Sequence, residues 1–103
     1  MATQLPVIIV TRHPGATEWI RKQPGFSGAD ITAVPHLSGI SPATHYVGIL
    51  PVGMVAQICA SGGRFTSLEL TFLDASWRGR ELSAQEMDAC KARLEEYSAV
   101  RIS

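Results

Sequence analysis

Arg12 and His13 stand side by side in a Thr11-Arg12-His13-Pro14-Gly15 turn that follows a run of β-branched residues. A guanidinium forks onto phosphate oxygens, an imidazole moves protons near neutral pH, and a glycine lets a ligand come close to the main chain. Together they suit a phosphodiester. Metal-free cleavage of an RNA-type linkage needs a 2′-hydroxyl aligned with its phosphate, a group that takes or gives a proton, and positive charge on the developing phosphorane. Arg12 and His13 cover the last two roles and are the candidate catalytic residues, with Thr11 and Gly15 as ligand contacts in the same turn.

In an open parallel sheet the ligand lies at the carboxyl ends of the strands, and that rule gathers a second set of residues. Leu50 and Pro51 close the third apolar strand, and Arg78 and Arg80 belong to the last long loop, so all four are candidate ligand contacts. His36 and His45 sit at strand ends as lone histidines, a setting in which a hydrogen-bonded structural role is the more common one. Ser61-Gly62-Gly63-Arg64 has the glycines of a phosphate loop, but it follows a helix instead of preceding one, so it reads as a helix cap. The histidines have no HxxxH or CxxC company, and Cys59 and Cys90 are separate, each inside a predicted helix as a small hydrophobe. Neither a metal nor a cofactor is implied.

These residues need a scaffold. Leu5 to Val10 is a continuous apolar run, the mark of a strand buried on both faces and expected at the centre of a parallel sheet. Pro14 suits a first helical turn, and a short helix follows to Gln23 before Pro24-Gly25, with Trp19 and Ile20 facing the sheet. Strands are expected over 30–37, 45–50 and 64–73, and an almost wholly apolar helix over 52–60 that the sheet or a partner subunit covers. Residues 74–82 read as a loop. Ser83-Ala84-Gln85-Glu86 is a capping box that starts a helix expected to run to Tyr97, with Met87, Cys90, Leu94 and Tyr97 as its stripe and Glu95-Glu96 as its solvated end. The last residues, 99–102, are a short strand or a frayed tail. The order of elements predicts an α/β fold with a mostly parallel sheet flanked by helices.

The 103 residues fit one domain, residues 1–103, and with 46% apolar and 17% charged residues some apolar surface is expected in a subunit interface. Nine basic and nine acidic residues cancel, which argues against a long nucleic acid held by its phosphates and leaves a small anion as ligand. No run approaches the roughly 20 apolar residues of a membrane span, and Met1 to Pro6 lacks a signal-peptide layout, so the cytoplasm is the expected address.

Val10-Thr11-Arg12-His13-Pro14-Gly15-Ala16, Gly48-Ile49-Leu50-Pro51-Val52, Arg78-Gly79-Arg80-Glu81-Leu82-Ser83 and Arg93-Leu94-Glu95-Glu96-Tyr97 occur in an order that resembles the small single-domain CRISPR-associated proteins of type III systems. The resemblance implies a minimal Rossmann-like domain related to CARF sensor domains, acting as a homodimer on cyclic tetra-adenylate. It further implies a ring nuclease that cuts this messenger without metal to linear di-adenylates ending in 2′,3′-cyclic phosphate, so switching the response off. Two other classes fit the same residues: a module that sequesters the cyclic nucleotide uncut, and an interaction protein without ligand.

Overall fold

The computed structural model describes residues 5–28, 31–70 and 82–103. The elements run β1 (Val7–Val10), α1 (Pro14–Arg21), β2 (Ile31–Val34), β3 (His45–Gly48), α2 (Val52–Ala60), β4 (Arg64–Glu69), α3 (Ala84–Ala89) and β5 (Arg93–Tyr97). The strands form one sheet in the order β2-β1-β3-β4-β5. The first four are parallel, and β5 runs antiparallel to β4 at the edge. This is an α/β fold of the Rossmann-like kind, with β3 and not β1 as the middle strand.

Period-two alternation divides the strand side chains between two faces, and each face carries its own core. Ile9, Val47 and Leu68 meet Trp19 and Ile20 of α1 and Met87 of α3. Val10, Tyr46 and Phe65 meet Val55 and Ile58 of α2 on the opposite face. Burying several large side chains on each side, at about 1.5–3 kcal/mol apiece, is what holds helices to both faces. Val52, at the start of α2, is 75% exposed.

The α1–α3 layer is fixed by specific contacts. The Trp19 indole N–H donates to Asp88 Oδ1 at 2.7 Å, and a Cβ on Gly15 would collide with the Leu82 carbonyl oxygen, so glycine lets the lead-in to α3 lie directly on α1. Ser83 and Glu86 form the expected capping box: Ser83 Oγ accepts from the Glu86 N–H at 3.1 Å, and Glu86 Oε1 accepts from the Ser83 N–H at 3.0 Å.

The helix expected to reach Tyr97 stops at Ala89. Lys91 takes φ 59°, its N–H donates to Asp88 O, and the Ala92 N–H donates back to Met87 O, which is a Schellman closure without the usual glycine. The chain then turns into β5, where Leu94 pairs with Leu68 and packs on the core. Glu96 is accordingly not a solvated helix end: it receives a two-pronged guanidinium bond from Arg64, at 2.9 and 2.6 Å. Residues 99–102 form no strand, and Tyr97 is 48% exposed instead of lying in an apolar stripe. Of the other expected elements, α2 keeps its bounds, β1 begins at Val7, and α1, β2, β3 and β4 end earlier than expected, at Arg21, Val34, Gly48 and Glu69. The β2 ladder ends at Val34, just before Pro35, and β3 stops at Gly48. The loop expected over 74–82 lies outside the described residues except for Leu82.

Candidate functional site

The chain leaves β1, builds α1 and β2 on one side, then crosses back to place β3 on β1's other side, so the strand order reverses between β1 and β3. A crevice at such a switch point is the usual ligand site of an open α/β sheet. Here it holds a cavity of about 490 Å³. Its walls come from Val10, Thr11, Arg12 and His13 after β1, Pro35 to Leu37 after β2, and Gly48 to Leu50 after β3. Its floor is apolar, with Ile20 of α1, Met54 of α2, Met87 of α3, and Leu68, Leu70 and Leu82.

Backbone geometry explains the opening. A Cβ on Gly48 would strike the Val10 carbonyl oxygen, so glycine lets β3 close on β1 at the cavity's edge. Thr11 Oγ1 accepts from the His13 N–H at 3.1 Å, which tightens the turn and sets His13 as the N-cap of α1. The His13 carbonyl in turn accepts from the Ala16 and Thr17 N–H groups, and Pro14 stands at the start of the helix where no donor is needed. Arg12 and His13 are thereby both exposed at the rim. Arg12 has no hydrogen-bonding or ionic partner among the described residues.

The structure thus gathers Thr11, Arg12, His13 and Leu50 in one cavity. Gly15 and Pro51 are adjacent but do not line it: Gly15 faces the Leu82 backbone, and Pro51 is the exposed N-cap of α2. Arg78 and Arg80 lie outside the described residues. One contribution escaped the sequence reading. His36, placed at a strand end but given the more common structural role, lines the cavity and is exposed. The α3 part of the floor escaped because the packing of Met87 beneath a site formed by β1 and β3 depends on tertiary contacts that no local pattern carries.

His45 does behave as a structural residue. It is buried at the opposite end of β3, with its Nε2 2.7 Å from Thr66 Oγ1 and its ring edge-on to Phe26 at 5.8 Å. Burial pushes its pKa below the ordinary 6.5; the Arg64 cation acts in the same direction and Glu96 opposes it. Ser61-Gly62-Gly63 closes α2, with Gly62 at φ 81°. Among the described residues no group of three or more His, Cys, Asp or Glu side chains is placed to hold a metal, and no helix is long and apolar enough to cross a membrane.

A family model described as "Putative CRISPR-associated protein (Cas_VVA1548)" matches residues 8–100. The chain belongs to this CRISPR-associated family. The match runs from β1 through β5 and takes in the whole cavity rim. No curated protein and no solved structure matches the chain.

Proposed function

We propose that this CRISPR-associated protein is a ring nuclease, which binds cyclic tetra-adenylate and cuts it without metal to linear di-adenylates ending in 2′,3′-cyclic phosphate. The observation that carries the reading is the cavity at the β1–β3 switch point, which combines, at its rim, an arginine with no partner among the described residues and an adjacent histidine with an apolar floor. The floor suits the flat faces of bases, and the rim suits a phosphate. Membership of a CRISPR-associated family supports a role in the same defence system.

In this reading Arg12 holds the phosphate through charge-assisted hydrogen bonds that strengthen as negative charge grows on the phosphorane. His13 transfers a proton, Thr11 and Leu50 position the ligand, and Gly15, Pro51, Arg78 and Arg80 complete the contacts implied by the resemblance. Two copies of the chain related by a two-fold axis would present two such sites to a two-fold ring. Ile49, which lines the cavity, and Val52, on the other side of Leu50-Pro51, are 68% and 75% exposed and offer apolar surface for that pairing.

Incubating purified protein with cyclic tetra-adenylate and separating the nucleotides by chromatography tests the proposal. Linear di-adenylate supports it. An intact ring that co-elutes with the protein would instead make the chain a sequestering module, and an intact ring that stays free would make it an interaction protein.

A further inference from the structure

Among the described residues that line the cavity, three side chains are titratable: Arg12, His13 and His36. They come from neighbouring strand ends. Val10 pairs with Val34, and the Thr11 N–H donates to the Val34 carbonyl at 2.9 Å, the last bond that ties the β1 exit to the β2 exit. Beyond it His13 is held as the N-cap of α1, while β2 ends at Val34 and Pro35 and His36 follow it, both exposed. Both imidazoles therefore stand at one cavity mouth. The β3 exit and α3 bring only Gly48, Ile49, Leu50 and Met87 to that space, with no charge. His36 is exposed and has no hydrogen-bonding or ionic partner among the described residues, in contrast to the packed His45.

Transesterification at an RNA-type linkage requires two proton transfers on opposite sides of phosphorus: one from the attacking 2′-hydroxyl, the other to the departing 5′-oxygen. One imidazole does not reach both sides at once. We propose that His36 is the second proton-transfer residue of this site and works as a pair with His13. The proposal rests on the ring nuclease reading above. The 2′-oxygen bonds to phosphorus as its proton passes to the neutral imidazole, and the bond from phosphorus to the 5′-oxygen breaks as the imidazolium protonates that oxygen. The products are a 2′,3′-cyclic phosphate and a 5′-hydroxyl. The two histidines end with exchanged protonation states, which solvent restores before the next turnover. Arg12 stays on the phosphate throughout.

The test is single-turnover cleavage of cyclic tetra-adenylate by the wild type and His36→Gln from about pH 5 to about pH 8, with binding of the all-2′-deoxy ring, which lacks the nucleophile, measured alongside. The wild-type rate should be bell-shaped. His36→Gln, altered at an exposed position, should melt near the wild-type temperature and bind the deoxy ring within about threefold of wild type. It should cut about a hundredfold or more slowly and keep only one limb of the pH profile. A variant that cuts near the wild-type rate, or retains both limbs, overturns the role of His36 while leaving the ring nuclease reading intact. A wild type that leaves the ring whole overturns both.

Discussion

The proposed reading gives the neighbours Arg12 and His13 different tasks, so their alanine variants should fail differently. Arg12→Ala should weaken binding and cleavage together, because a phosphate contact is kept in both the ground and the transition state. His13→Ala should bind nearly normally and turn over about a hundredfold or more slowly, as loss of general acid–base catalysis does. Ligand titration beside single-turnover rates separates the two, with thermal melting to show that the variants remain folded. A folded His13→Ala protein cutting at the wild-type rate would remove that histidine from the mechanism. His45 gives a different residue-scale prediction. Folded, it resists protonation; unfolded, it regains its ordinary pKa of 6.5, so below that pH the unfolded chain takes up the proton more readily. Its contribution to stability is therefore full above 6.5 and is lost as the pH falls below it. Melting temperature should drop between about pH 7 and about pH 5, and His45→Asn should flatten that drop. An unchanged slope would contradict the assignment.

Elements declare themselves where local chemistry and tertiary packing agree. The apolar run of β1, the Pro14 start of α1, the whole of α2 and the Ser83 capping box could all be read from residue type and spacing. β5 could not, because Met87, Cys90, Leu94 and Tyr97 are spaced like a helical stripe although the helix closes at Lys91, a residue that does not announce a left-handed cap. The same limit applied to the site. The strand-end rule gathered Arg12, His13, His36 and Leu50, but a lone histidine reads as structural, and the exposure of His36 at the cavity shows only once β2 is paired with β1. Two substitutions test how these elements frame the cavity. Gly48→Ala forces a Cβ against the Val10 carbonyl and should cost about 1–3 kcal/mol, measured by denaturant unfolding, with reduced ligand binding as the β1–β3 edge opens. Ser83→Ala removes one arm of the capping box and should cost about 1 kcal/mol. A Gly48→Ala protein as stable as the wild type would show that the strands separate there without penalty.

At the scale of the whole molecule, the sheet order puts one switch-point cavity on each chain, the proposed two-fold ring would call for two, and Ile49 at the cavity and Val52 nearby in sequence are exposed. The protein should therefore have the solution mass of a dimer at micromolar concentration. Ile49→Lys with Val52→Lys should shift it towards monomer and lower cleavage, because a like-charge clash at an interface core is strongly unfavourable. A monomer with full activity would refute the shared site. The central claim is metal-free phosphodiester cleavage at the switch-point cavity, and its most direct measurement is a single-turnover reaction with cyclic tetra-adenylate in excess EDTA, the products identified by mass. The account predicts linear di-adenylate carrying a 2′,3′-cyclic phosphate, formed at the same rate with and without the chelator and greatly slowed in Arg12→Ala. An intact ring, or cleavage that stops in EDTA and returns with a divalent ion, would contradict it.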